Sequence, residues 1–207
     1  MTLPFQTLIH TAPASLPVQP LLPGGAAGLG LARGRVHEIC GPARRTLAVM
    51  ALGGPEDLSP VVWILPGWLP ERPNPCGLCR FAHPGRFIMA RARRPEDLLW
   101  SAEEALRSGA VSAVIVELPG PPALTPVRRL HLAAGSVAGT DAPLPLGLIL
   151  TPGTGGAQGV ESRWHMAATP DSGWRLERMR ARMEPRAAWS VLPRRGGVVA
   201  ARLTDAG

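Results

Sequence analysis

The segment at residues 35–50 constrains the fold of this chain most, because it joins a strand, a glycine turn and a helix. Residues 35–40 are predicted to form a buried strand, and Gly41 begins a tight turn. A helix is predicted from about residue 46 to residue 52, before the helix-breaking run Gly53-Gly54-Pro55. A strand followed directly by a helix is typical of a parallel sheet, whose strands need a crossover connection.

The rest of the first three quarters of the chain repeats this alternation. Helices are predicted at residues 95–108, between Pro95 and Gly109, and at residues 125–134. Apolar runs of strand length lie at residues 61–65, 87–90, 111–117 and 146–150. This order predicts an α/β fold with a mainly parallel sheet and helices on both faces.

The C-terminal part has a different pattern, in which short strands are joined by turns. The strands are predicted at residues 164–169, 174–183, 187–192 and 198–203, with a hairpin connection at residues 170–173. We therefore predict an antiparallel extension along one edge of the sheet. The predicted organisation is a Pro/Gly-rich lead segment at residues 1–34, an α/β core at 35–160 and the extension at 161–207.

The composition of the chain limits which partners and which cellular compartment we expect for it. All 22 basic residues among the 207 are arginine, and the net charge of +7 favours an acidic partner such as nucleic acid or an acidic protein face. An arginine-rich composition alone could also raise the charge without forming a patch. Three cysteines argue against a disulfide framework, and no apolar run reaches membrane-spanning length. With no signal-peptide pattern at the N-terminus, we predict a cytoplasmic protein.

The turn after the first core strand departs from the phosphate-binding motif G-x-x-x-x-G-K-[ST]. The second glycine of that motif is replaced by Thr46, the lysine by Leu47, and Pro42 has no backbone N–H. Two interpretations remain open for the turn: a weak anion or nucleotide site, or a plain strand-to-helix connection. If it bound a nucleotide, the candidate ligands would be Gly41, Arg44, Arg45, Thr46 and, from a later strand, Glu117.

Several segments resemble the RecA-like family of core ATPases, over roughly residues 24–192. The likeness rests on PGG at 23–25, LARGRVHEICGP at 31–42, ALRSGAVSAVIVE at 105–117 and ALTP at 123–126. A narrower likeness, to the ImuA family of SulA/RecA-like accessory proteins, rests on RARRPEDLLW at 91–100, EEALRSG at 103–109 and RRLHLAA at 128–134. The resemblance implies a RecA-like P-loop core.

The departures from the RecA-like pattern concern catalysis. By alignment, Glu117 occupies the Walker B position, whereas Pro66-Gly67-Trp68 replaces the acid that positions water in the family. Thr151-Pro152-Gly153 replaces the sensing glutamine. Since phosphoryl transfer needs these groups together with the missing lysine, we predict that the chain is not an enzyme and binds no cofactor, ATP included. Glu117 is then expected to be solvated or paired with an arginine.

The resemblance also implies a role and partners. We expect a non-catalytic accessory protein in SOS-induced, error-prone translesion DNA synthesis that acts through protein–protein contacts. The implied partners are an ImuB-like homologue of Y-family polymerases, an error-prone C-family polymerase and RecA, with DNA contacted indirectly if at all. Two alternatives stay open: a weak RecA-like ATPase using Arg45, Thr46 and Glu117, and a SulA-like inhibitor of cell division.

Arginines near the C-terminus are the candidate contacts to a partner or to DNA. On a regular strand, Arg178, Arg180 and Arg182 would point to one face, and that face could bind phosphate or an acidic protein, or simply be solvated. The other candidates are Arg175, Arg194, Arg195 and the loop residue Trp68. The glycine-rich loop at residues 152–159 takes the place of the family's DNA-contacting loop but lacks basic and aromatic residues, so we expect little binding from it.

The remaining candidates are cysteines and tryptophans. Cys76 and Cys79 form a C-x-x-C pair that could be half of a zinc site, yet no second cysteine pair exists, so we predict loop cysteines and no metal. Trp63, Trp100, Trp164 and Trp189 lie in predicted elements and are expected in the core, whereas Trp174 adjoins a loop.

Overall fold

A computed structural model of the chain describes residues 16–140 and 142–204. The first fifteen residues of the predicted lead segment and the last three of the predicted extension lie outside the described residues. The described strands are β1 Val18–Pro20, β2 Gly30–Ala32, β3 Val36–Cys40, β4 Val61–Pro66, β5 Phe87–Ala92, β6 Ala113–Glu117, β7 Leu146–Thr151, β8 Ser162–Ala168, β9 Trp174–Ala181, β10 Ala187–Arg194 and β11 Gly197–Leu203. The α-helices are α1 Arg44–Met50, α2 Pro75–Leu78, α3 Pro95–Arg107 and α4 Leu124–Gly135, and Pro23–Gly28 and Pro84–Arg86 form 3₁₀ turns.

Nine of the described strands form one mixed sheet in the order β11-β10-β9-β8-β3-β7-β6-β4-β5. The strands from β3 to β5 run parallel, β8 joins β3 in parallel, and β9, β10 and β11 continue antiparallel. The predicted α/β class, the mainly parallel core and the antiparallel extension are confirmed. The carboxyl ends of β3, β4, β6 and β7 meet at one edge of the sheet, which we call the carboxyl edge.

Helices cover the sheet from both sides, so its central strands are buried on both faces. On one face, α1 contributes Leu47 and Met50 to a core that includes Trp63. On the other face, α3 and α4 contribute Leu98 and Val127 to a second core. Side chains alternate between the faces along each strand, which is why parallel strands of this kind appear in the sequence as continuous apolar runs.

Residues 16–34, part of the predicted Pro/Gly-rich lead segment, belong to the same core. β1 and β2 pair antiparallel from Val18↔Ala32 to Pro20↔Gly30. Leu21, Leu22 and Leu31 are completely buried in the core that contains α1. Burying a leucine side chain stabilises the fold by about 1.5–3 kcal/mol, so this ribbon is an integral part of the fold.

The sequence prediction is wrong for one of the four tryptophans that were expected in the core. Trp100 lies on α3 but is 60% exposed, whereas Trp63, Trp164 and Trp189 are buried as expected. Trp100 is two residues from both Leu98 and Ala102, which places it about 200° around the helix from the face that they bury. Within the described part of the chain, no helix is both long and apolar enough to cross a membrane.

Candidate functional site

The turn between β3 and α1 opens at the carboxyl edge, and its backbone is bound by the protein itself. Gly41 has a φ of +90°. Its N–H donates to the carbonyl of Gly153, and the N–H of Ala43 donates to the carbonyl of Met166, both at 3.0 Å. Pro42, between them, has no N–H. A phosphate nest needs successive N–H groups that converge on the anion, and here these donors point at carbonyl oxygens instead.

The next residues of the turn are also engaged locally. The backbone N–H and the guanidinium Nη1 of Arg44 both donate to the Gly41 carbonyl, each at 3.2 Å. α1 begins at Arg44, two residues earlier than predicted. The turn therefore closes in the way expected of a plain strand-to-helix connection.

Arg45 and Glu117 form a bidentate charged contact at the carboxyl edge. Arg45 Nε and Nη2 donate to the two carboxylate oxygens of Glu117, each at 2.8 Å. The indole N–H of buried Trp63 donates to the same carboxylate at 3.0 Å. Bidentate arginine–carboxylate pairs are among the strongest charged contacts in proteins. Of the two environments expected for Glu117, the structure shows the arginine-paired one, and the side chain is only 4% exposed.

A cavity of about 260 Å³ lies beside this pair, and Arg45, Thr46 and Trp63 form one wall. The opposite wall comes from residues 72–81, in the proline-rich connection between β4 and β5, and includes Arg72 and Asn74. Arg45 and Thr46 line this cavity, whereas Glu117 is not among its lining residues. The guanidinium of Arg45 is bound to the Glu117 carboxylate.

A second buried carboxylate, Glu38, was not singled out from the sequence. It is completely buried in β3, where it accepts hydrogen bonds from Thr151 Oγ1 at 2.6 Å and from the N–H groups of Gly156 and Ala157 at 2.9–3.1 Å. Arg163 Nε donates to it at 2.5 Å. Glu38 therefore holds the glycine-rich loop down on the sheet. The sequence signal that could have identified Glu38 is its position, as an acidic residue in the middle of a predicted buried strand.

The prediction that Arg178, Arg180 and Arg182 share one face is wrong. Trp164 pairs with Arg178 whereas Arg163 pairs with Arg180, so the register shifts by one residue and Met179 is the extra residue of a β-bulge. A one-residue shift in register moves the following side chains to the opposite face. The bulge therefore separates Arg178 from Arg180 and Arg182.

Arg178 is consequently a core residue, not a partner-binding one. Its guanidinium lies over the rings of Trp164 and Trp189, at 5.6 and 5.3 Å from their centroids. It also donates to the carbonyl of Pro185 at 2.9 Å and pairs with Glu184. With 6% exposure it has no surface to offer a ligand.

The other predicted contact residues remain at the surface. Arg175 pairs with Glu177 at 3.0 Å, and Arg194 and Arg195 lie at the exposed turn between β10 and β11. Trp68 is 45% exposed, beside the end of β5. The prediction that these four residues contact a partner or DNA therefore stays a prediction.

Cys76 and Cys79 lie in and next to the short helix α2, and both thiols are free and exposed. Over residues 16–140 and 142–204, no group of three or more His, Cys, Asp or Glu side chains is arranged to hold a metal ion. In the described structure, the C-x-x-C pair is thus not completed by further ligands.

When the chain is compared with known protein families and with curated proteins, neither comparison gives a match. The geometry of the carboxyl edge, together with the motifs that resemble the RecA-like family, is therefore the basis for a functional proposal.

Proposed function

We propose that this chain is a non-catalytic accessory protein with a RecA-like P-loop core, and that it serves SOS-induced, error-prone translesion DNA synthesis through protein–protein contacts. The first core strand, its turn and α1 stand where such a core holds its nucleotide. The central position of β3 in a mainly parallel sheet supports this assignment.

The observation that carries the proposal is the state of Glu117. In an active site of this type, the acid must face a metal-bound triphosphate. Here its two oxygens accept three hydrogen bonds from Arg45 and Trp63. A nucleotide would have to break this pair and the backbone bonds of Gly41 and Ala43, and leaving the buried Glu117 carboxylate without its partner costs about 1–3 kcal/mol.

Exposed apolar groups at the β5 side of the sheet support a role in binding proteins. Trp68 and Leu69 follow β4, and Ile88 and Met89 lie on β5; all four are at least 38% exposed. Arg91 fastens the Trp68 loop to β5, because its guanidinium donates to the carbonyls on either side of Trp68 at 2.6 and 2.9 Å. Large exposed aromatic residues on a fixed loop are typical anchors at protein interfaces.

The partners in this proposal come from the family resemblance. They are an ImuB-like homologue of Y-family polymerases, an error-prone C-family polymerase and RecA. A pull-down of the tagged protein from DNA-damaged cells, with and without nuclease treatment, tests them. Recovery of these polymerases after nuclease treatment supports direct protein contact, whereas recovery only from untreated lysate would mean that DNA bridges them.

A titration with a fluorescent ATP analogue and Mg²⁺ separates the proposal from the weak-ATPase alternative. We expect no saturable binding at micromolar concentrations. A Kd below about 10 μM, or about −7 kcal/mol, that is lost in Arg45→Ala would favour the ATPase. The same variant should instead lose stability, by about 1–3 kcal/mol, because it leaves Glu117 buried without its charge partner.

Overexpression in growing cells tests the remaining alternative. Filamentous cells with unchanged damage-induced mutagenesis would favour a SulA-like inhibitor of division over the accessory role. Under our proposal, deletion lowers damage-induced mutagenesis and overexpression leaves cell length unchanged.

A further inference from the structure

A second charged site lies at the opposite edge of the sheet from Gly41. It is a half-open cavity of about 350 Å³ at the start of β3 and β8 and at the end of β9, which we call the basic cavity. Arg35, Arg180 and Arg182 line it together with His131 and Glu161. Two separate segments of the chain, at residue 35 and at residues 180–182, thus bring arginines to one concave surface.

The charges of the basic cavity do not cancel. Among the described residues that line it, Glu161 is the one carboxylate. The contacts of its Oε2 to Arg35 Nε and Arg182 Nη1 measure 3.8 and 3.9 Å. Both distances exceed the 2.7–3.2 Å of a direct N–H···O hydrogen bond. Arg180 forms no ion pair with any described residue. Three guanidinium groups against one carboxylate leave an excess of two positive charges.

The wall of the basic cavity is fixed by His131. The N–H of Val36 donates to Nδ1 at 3.3 Å, so the hydrogen of the ring is on Nε2, which donates to the carbonyl of Gly159 at 3.1 Å. Burial lowers the pKa of His131, and Arg35 and Arg182 lower it further. The ring is therefore neutral, and it orders the wall without adding charge.

The bulge at Met179 is what supplies the last two arginines. Without the extra residue, Arg180 and Arg182 would share the face on which Arg178 packs against tryptophans. With it, both reach the basic cavity, and neither has a structural role in the core. A bulge that re-aims side chains in this way is common next to functional sites.

We propose that the basic cavity binds a phosphate group, either as part of a nucleic-acid strand or as a free ion. Guanidinium forks match the oxygens of phosphate in geometry and charge. A single carboxylate is satisfied by one such fork, whereas three arginines around one cavity suit a tetrahedral group with more oxygens. This inference does not rest on the proposed accessory function.

The test compares two double variants that remove equal charge. Arg180→Ala with Arg182→Ala removes two of the three arginines of the basic cavity, and Arg93→Ala with Arg202→Ala is the matched control at two exposed positions that do not line it. The probes are inorganic phosphate, followed by calorimetry, and a fluorescein-labelled single-stranded DNA 20-mer, followed by anisotropy at several salt concentrations. All four arginines are at the surface, so thermal melts should show that both variants stay folded.

We expect the cavity variant to weaken binding of at least one probe about tenfold or more, and the control to change it less than about twofold. If DNA is the ligand, the slope of log affinity against log salt should also fall by about 1.4, since each single-strand phosphate contact accounts for roughly 0.7. If the cavity variant loses binding of inorganic phosphate but not of DNA, the ligand is a free phosphate ion.

Three results would overturn the proposal. The first is binding of neither probe by the wild-type protein. The second is an equal loss in both double variants, which would indicate general charge rather than a site. The third is tighter binding of a labelled poly-glutamate peptide to the cavity than of either phosphate probe.

Discussion

Glu38 shows how one residue can organise a large part of the carboxyl edge. Burying an ionised carboxylate away from water costs a large amount of free energy unless hydrogen bonds and an opposite charge compensate for it. Glu38 has both, since Thr151, two backbone N–H groups of the glycine-rich loop and Arg163 donate to it. The loop therefore adopts a conformation set by the carboxylate beneath it.

Removing that charge should destabilise the whole protein. In Glu38→Gln the amide nitrogen cannot accept, and Arg163 loses its partner, so we expect a loss of about 3 kcal/mol in the free energy of unfolding. Urea unfolding followed by tryptophan fluorescence measures it. Glu104→Gln is the control, because Glu104 pairs with Arg107 on the exposed surface of α3, where such pairs contribute less than about 1 kcal/mol. Equal, small effects in the two variants would contradict this role of Glu38.

At the scale of elements, the β3–α1 turn is held by its neighbours from two sides. Gly153 follows β7 and Met166 lies on β8, and their carbonyls accept the N–H groups of Gly41 and Ala43. The approach is close: a Cβ at Gly41 would lie 2.5 Å from the Met166 carbonyl oxygen. The turn thus needs glycine for its positive φ and for the space it leaves, whether or not a ligand is present.

Gly41→Ala should therefore be strongly destabilising. A non-glycine residue at positive φ costs about 1–3 kcal/mol, and the contact with a backbone oxygen adds to it. Thermal unfolding measures the change. Gly135→Ala, at the end of α4, meets no atom within 4 Å and should be neutral or stabilise by up to about 1 kcal/mol. A Gly41→Ala variant as stable as wild type would show that the turn can move away from β8.

The elements were predictable where a single local pattern decides them. Continuous apolar runs predicted β4, β6 and β7, and Pro95 and Gly109 predicted the limits of α3. The bulge at Met179 was not predictable, because alternation alone assumes a regular register and so put Arg178 on the wrong face. The partners of Glu38 lie 113–125 residues away in sequence, beyond the reach of any local pattern.

At the scale of the molecule, the three segments distinguished in the sequence meet at one buried side chain. His37 of β3 is 1% exposed. Its Nε2 lies 3.0 Å from the carbonyl of Ala32 in the β1–β2 ribbon, and its Nδ1 lies 2.7 Å from the hydroxyl of Ser162 in β8. A neutral ring can donate to the carbonyl and accept from the hydroxyl. The ribbon, the core and the extension are therefore joined through an uncharged histidine.

That arrangement makes the stability of the whole molecule depend on pH. Burial, with a smaller contribution from nearby His131, lowers the pKa of His37 to about 4. The ring therefore binds a proton more readily in the unfolded chain, and the stability present above pH 6.5 is lost as the pH falls toward 4. At 1.36 kcal/mol per pKa unit, this one group accounts for a loss of about 2 kcal/mol between pH 7 and pH 5.

Urea unfolding of the wild type and of His37→Gln at pH 7 and pH 5 isolates this contribution. Glutamine keeps an N–H donor for the Ala32 carbonyl but does not titrate, so the variant should be less stable at pH 7 and lose about 2 kcal/mol less than the wild type on acidification. Carboxylates and His131 titrate in both proteins and cancel in the difference. Parallel losses in the two proteins would mean that His37 takes up no extra proton on unfolding. The ribbon and extension would then be joined by a group that tolerates charge, which requires water to reach the ring.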